Sequence, residues 1–181
     1  MKNYLMVDIE SLNNTPDAVI LSIGAVLFNE KGVAKDKYYA AVDIQSCLDA
    51  GLTIGGDTLL WWHKQSDEAR KVFLEKTVPL KKALQGLKNY TYKHCHTYDI
   101  PVVANSPSFD CVILRNAYRA VGEDAFWKFW RELDYRTMKS LKGAPKIERG
   151  EDNVAHNALA DAYAQANHTI AINKHFDGII L

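Results

Sequence analysis

Tyr4-Leu5-Met6-Val7-Asp8-Ile9-Glu10 alternates along its length. Leu5, Val7 and Ile9 fall on one side and Met6, Asp8 and Glu10 on the other, the period of two that a β-strand imposes. The two acids therefore share a face. Like charges at that spacing repel each other unless something positive lies between them. The stretch predicts a strand with core character and leaves one question for the rest of the chain: what balances Asp8 and Glu10.

Outward from it, Asn13-Asn14-Thr15-Pro16-Asp17 is turn chemistry. Val19 to Phe28 is a near-continuous apolar run with Gly24 inside it, as a buried central strand requires. A turn at Asn29 to Gly32 leads to a third strand at Tyr38 to Val42, so the opening reads as an antiparallel three-strand meander. From Asp57 the period becomes helical through Leu60, Trp61, Lys64, Glu68 and Val72. A second helix starts at about Pro79 with Leu80, Ala83, Leu84 and Leu87 on one stripe. Ile100 to Ala104 is a short buried strand, followed by Asn105-Ser106-Pro107-Ser108 and a helix whose stripe includes Phe109, Ile113, Asn116, Ala117 and Ala120. A last helix, about Asn157 to Ile172, turns Leu159, Ala162, Tyr163, Ala166 and Ile170 inward. A meander followed by alternating helices and strands predicts an α/β fold, one mixed sheet flanked by helices.

The chain has 181 residues, 20.4 kDa and 48% hydrophobic residues, which suits one domain over 1–181 and excludes intrinsic disorder. Lys+Arg and Asp+Glu each total 22, which excludes a histone-like cationic protein. Neutrality hides a gradient: residues 1–60 hold 4 basic against 8 acidic side chains, and residues 61–100 hold 8 against 4. A basic middle beside an acidic start can steer a polyanion toward a carboxylate site. No apolar run suggests a membrane span or export signal, and three widely spaced cysteines, Cys47, Cys95 and Cys111, suit neither a disulfide framework nor a CxxC zinc site. A cytoplasmic protein with reduced thiols is expected. His94-Cys95-His96 is not read as a zinc site, because adjacent residues at a helix end point apart.

Four carboxylates, Asp8, Glu10, Asp110 and Asp161, occupy strand ends or helix starts next to core positions. Oxygen-only ligands suit Mg²⁺ or Mn²⁺, and two such ions about 3.5 to 4 Å apart serve phosphoryl displacement. The plain alternative puts Asp8 and Glu10 on a solvated face, with Asp110 and Asp161 merely favouring helix N-termini. His156 tips the reading: it precedes Asp161 by five residues, so the histidine falls before the helix and the aspartate inside it. Histidine is the side chain best suited to move a proton near neutrality.

Three motifs in order, Asp8-Ile9-Glu10, Asn105-Ser106-Pro107-Ser108-Phe109-Asp110 and His156-Asn157-Ala158-Leu159-Ala160-Asp161, resemble the DEDDh subgroup of the DEDD superfamily of 3′-to-5′ exonucleases, whose fold is ribonuclease H-like. Leu21 to Val26, Trp61-Trp62 through Arg70, Leu114 to Tyr118 and Tyr135-Arg136-Thr137 are similar to its compact phage and bacterial branch. The resemblance implies two divalent ions, Mg²⁺ or Mn²⁺, with Asp8 bridging them, Glu10 and Asp161 completing the site of the attacking water, and Asp110 on the second ion. It also implies His156 as the general base, single-stranded DNA or RNA 3′ ends or overhangs as substrate, and nucleoside 5′-monophosphates as product. Ser11-Leu12-Asn13 departs from the Thr-Thr-Gly of many relatives.

Carboxylates offer no stacking surface, so Leu12, Trp61 or Trp62 and Phe109, with Ser11 in the turn, are the candidate substrate contacts. Adjacent helical residues lie about 100° apart, so one tryptophan can be buried while the other faces the cleft. Phe109 also reads as core. Phe126, Trp127, Phe129 and Trp130 form an unassigned cluster that marks a candidate homodimer surface. Two other functions stay open: a nucleic-acid-binding module without catalysis, and a ribonuclease H-type endonuclease.

Overall fold

The computed structural model describes residues 2–146 and 156–178. The expected meander forms from β1 (Tyr4–Ser11), β2 (Ile20–Asn29) and β3 (Gly32–Ala41), each antiparallel to the next. β3 begins at Gly32, well before the expected Tyr38, because the hairpin pairs Asn29 with Gly32 directly. On its other edge β1 runs parallel to β4 (Val102–Ala104), and β4 runs parallel to β5 (Glu132–Asp134). The sheet order is β3-β2-β1-β4-β5. β1 is thus the central strand, where the connections diverge to either side, and the carboxyl end of such a strand is where open α/β sheets place their ligands.

Helices cover both faces. Leu5, Val7 and Ile9 join the larger core with the stripe Leu80, Leu84 and Leu87 of α4 (Leu80–Cys95) and with Ile113, Leu114 and Ala117 of α5 (Asp110–Ala120). The short α1 (Ile44–Asp49) adds Cys47 to the same core. Tyr4 and Met6, on the opposite side of β1, pack with Val26, Phe28 and residues of α6 (Tyr135–Ser140) and α7 (Ala158–His175). Burial of both strand faces is what a central strand needs, and it leaves Asp8 and Glu10 on the α7 side.

Two expectations fail. The helix expected from Asp57 through Val72 is broken into α2 (Gly56–His63), α3 (Asp67–Arg70) and a 3₁₀ turn (Lys71–Leu74). Ser66 stops it by accepting from the Ala69 N–H as an N-cap, and the Arg70 guanidinium donates to the carbonyls of His63 and Gln65 across the break. Leu60 is consequently exposed and Trp62 takes the core position. On α7 Ala162 and Ala166 are buried as expected, but Tyr163 is exposed under the Lys37 ammonium, and Asp161, Gln165, Thr169 and Asn173, recurring every fourth residue, share the buried face. Among the described residues no helix is long and apolar enough to cross a membrane.

The sheet and α7 approach each other closely at Gly24. A Cβ there would lie 2.2 Å from the Ala158 carbonyl carbon and 2.3 Å from the Leu159 nitrogen, both backbone atoms of the first turn of α7. Gly24 is the β2 partner of Asp8. Absence of a side chain on β2 therefore seats the start of α7 against the strand pair that carries the acids. Gly24→Ala is expected to cost at least about 1–3 kcal/mol by overpacking, lowering Tm by roughly 2–12 °C for a chain of this size; an unchanged melting curve would show that α7 does not press on β2 there.

Candidate active site

Each acid arrives on a different part of this scaffold. Asp8 and Glu10 lie at the carboxyl end of β1, two residues apart on one face. Asp110 is the first residue of α5, where the helix N-terminus favours negative charge. Asp161 lies in the first turn of α7, which Asn157 caps by accepting from the Ala160 N–H. Carboxylate oxygens of Asp8, Glu10 and Asp161 all lie within 4.8 Å of one another. Asp110 closes the group from the β4 side, accepting from the Ile9 N–H through Oδ1 at 3.2 Å. Its Oδ2 is buried and has no hydrogen-bond partner among the described residues.

The electrostatics follow from this crowding. Burial, then the charges of Asp110, Glu10 and Asp161, hold the Asp8 carboxyl well above the usual range. Burial, then Asp161 and Asp110, push Glu10 from 4.5 up to about 8. Burial raises Asp110 to about 7, against the pull of the Ile9 N–H and the Arg136 guanidinium. Without a cation the cluster keeps protons near neutral pH. An orphaned buried carboxylate oxygen, an all-oxygen donor set and mutual repulsion together fit a hard divalent cation, whose charge would replace those protons.

His156 precedes the cap residue with φ 67°, and its backbone N–H donates to Asp161 Oδ2 at 3.2 Å. The five-residue spacing therefore ties the histidine to the aspartate through the helix start. The imidazole stands edge-on to Trp61, ring centroids 4.8 Å apart, and lines a cavity of about 210 Å³ with Ser22, Tyr39 and Lys71. The tryptophans divide: Trp62 is 2% exposed and donates from Nε1 to the Ser11 carbonyl at 2.8 Å, while Trp61 is 41% exposed beside His156.

The remaining candidates differ. Leu12 is 2% exposed inside the larger core, so the expectation of a substrate contact is corrected: its side chain packs. The cause is a register irregularity between Glu10 and Ser11, which ends the alternation that would have put Leu12 on the acids' face. Ser11 is buried and its hydroxyl donates to the Asn13 carbonyl, closing the turn. Phe109 is half-buried against the core at the α5 N-cap.

Two residues beside the acids are given no role by the sequence, although Arg136 lies in a segment that carries the resemblance. Gln165 donates from Nε2 to Asp8 Oδ1 at 2.7 Å, and its spacing of four from Asp161 was the available signal. Arg136, whose charge acts on Asp110, donates to the Asn105 carbonyl at 3.2 Å, and only the fold brings it there.

The raised values set a sign for pH dependence. A carboxyl with a higher pKa folded than unfolded makes the folded state hold more protons between the two, so stability falls as pH rises through that window. For Glu10 the window is 4.5 to about 8. In EDTA, Asp8→Asn is expected to melt above the wild type by roughly 2–8 °C at pH ~8, with the gap shrinking toward pH ~5; a gap that ignores pH would contradict the shared-proton account. Gln165→Leu is expected to weaken Mn²⁺ binding by about 10–100-fold in calorimetric titration, and unaltered affinity would show that Gln165 does not orient Asp8.

The fold has counterparts among solved proteins. Escherichia coli exonuclease I in complex with a dT13 oligonucleotide superposes with a TM-score of 0.69 at 14% identity, over 98% of this chain and 42% of that one. Its zinc-bound form with single-stranded DNA gives 0.68 at 14% identity, with the same coverage of both chains. The chain therefore spans less than half the length of these proteins, and at such identity the match shows a shared fold, a mixed α/β sheet flanked by helices. No curated protein matches the sequence. The family model described as the 3′-5′ exoribonuclease Rv2179c-like domain matches residues 3–173, all three acidic motifs included. The chain belongs to that family of 3′-5′ exoribonuclease-like domains.

Proposed function

We propose that residues 1–181 form one DEDDh-type exonuclease domain that removes nucleotides from the 3′ end of single-stranded nucleic acid, RNA foremost, and releases nucleoside 5′-monophosphates. The observation that carries this reading is the convergence of Asp8, Glu10, Asp110 and Asp161 at the end of the central strand, with one buried Asp110 oxygen unpartnered. The family's description as exoribonuclease-like favours RNA. The oligonucleotide complexes of exonuclease I favour a single strand.

Asp8, Glu10, Asp110 and Asp161 would hold two divalent cations, Mg²⁺ or Mn²⁺, which when bound supply charge for a nucleophile and for the leaving oxygen. The chain's own groups do the rest. His156 sits one residue before the α7 cap, tied to Asp161, and takes the proton of the attacking water. The new P–O bond forms as the P–O3′ bond to the shortened strand breaks, so the phosphate leaves on the 5′ carbon of the released nucleotide. Trp61, half open beside His156, gives the terminal base a surface to stack on, and Phe109 flanks Asp110. Gln165 holds Asp8 in one orientation. Three unpaired cysteines suit the reducing cytoplasm.

A gel time course on 5′-labelled RNA and DNA single strands, with Mn²⁺ or EDTA, tests the reading. A ladder shortening from the 3′ end is expected only with metal, slowed about 10²- to 10⁴-fold by His156→Ala. A ladder that persists in EDTA overturns it. Cutting of circular strands would make the protein an endonuclease, and tight binding without turnover would make it a binding module.

A further inference from the structure

We infer that a groove along α5 is a track for the nucleic-acid strand upstream of the scissile nucleotide, ending on the exposed aromatic pair Phe129 and Trp130. The inference rests on the exonuclease reading above and adds a second contact region to it. α5 begins at Asp110, inside the acid cluster, and Val112, Arg115, Asn116 and Arg119 follow at helical spacing on one outward face. With Pro16 of the β1–β2 turn and Phe129 they line an open groove of about 350 Å³. The groove thus starts two residues after Asp110, on the outward side of the helix, and follows α5 away from the acids.

Its chemistry is that of a single-strand path. The aromatic cluster divides in the fold: Trp127 is buried, whereas Phe129 and Trp130 are 65% and 66% exposed, held edge-to-face at 5.0 Å. Lys128 lies over the Trp130 ring. Arg119 is exposed and forms no ion pair among the described residues. Arg115 is paired with Glu132, to which the Trp127 indole also donates, both at 2.8 Å, so among the described residues the groove offers Arg119 as a cation outside any ion pair and Phe129 as its ring. Exposed rings between cations are what a sequence-tolerant strand needs, bases stacking while phosphates meet charge. A second copy of this chain is the poorer occupant, since a two-fold interface would bring the patch carrying Arg119 and Lys128 against a like-charged copy of itself. From Asp110 to Arg119 the helix rises about 13 Å at ~1.5 Å per residue, the span of roughly four stacked nucleotides at ~3.4 Å each. A dinucleotide ends short of the aromatic pair and a decamer passes over it.

The test compares oligouridylate decamer with diuridylate, with Mn²⁺, in wild type, Phe129→Ala/Trp130→Ala and Arg119→Glu. The decamer-to-dimer ratio of kcat/KM is expected to fall about ten-fold or more in the aromatic double variant, and less in Arg119→Glu, where added salt shrinks the difference. Equal losses on both lengths, with or without a lower melting temperature, overturn the track and assign the residues to the fold or the chemistry. An unchanged ratio overturns it too, as does a wild-type dimer in light scattering that the double variant converts to monomer. Absence of turnover by the wild type on either length would instead sink the exonuclease reading on which the track depends.

Discussion

Four carboxylates gathered where water is scarce repel one another, and the architecture around them is organised to hold them there. β1 supplies Asp8 and Glu10 from the centre of the sheet, and the β4–α5 junction supplies Asp110 from the parallel side. α7 supplies Asp161 from across the meander, and it can do so because Gly24, opposite Asp8, has no side chain to keep it away. Burial raises the carboxyl pKa values, and the same crowding fits a divalent cation. Apolar helices on both faces of the sheet supply the stability against which this local cost is set.

The start of α7 links position to chemistry. Asn157 caps the helix, His156 takes a positive φ just before the cap, and the His156 N–H reaches back to Asp161. Small residues at the helix start have a mechanical reason: Ala158, in the motif, lies against Gly24, and Ala162, just after it, packs below the strands. His156 and the Asp161 carboxylate are therefore positioned by one local backbone arrangement. Beyond them, every fourth residue of α7 buries a polar side chain, of which Gln165 serves Asp8 directly.

Much of this was legible in the sequence. Long periodic segments, β1, β2, α4, α5 and α7, impose their own pattern, and the acids stood out because they interrupted it. What failed was decided by contacts distant in sequence. β5 is Glu132-Leu133-Asp134, two acids in three residues, and it is a strand only because β4 lies beside it. Hydrophobicity placed Tyr163 inward on α7, but beside the buried Ala162 and Ala166 that face takes up Asp161, Gln165, Thr169 and Asn173 instead. Leu12 extends the alternation of Asp8 and Glu10 on paper, but one irregular step after Glu10 turns it into the core. A bulge in a strand leaves no mark in residue type. The split between Trp61 and Trp62 was expected from helical geometry, while the fold alone decided which was buried.

The account turns on the carboxylates being a seat for divalent cations. Crystals soaked in Mn²⁺ and measured at its absorption edge test that most directly. Anomalous density enclosed by Asp8, Glu10, Asp110 and Asp161, with Asp110 Oδ2 among the ligands, is the predicted result. An acid cluster without such density at a pH above about 8, where Glu10 has lost its proton, would contradict it.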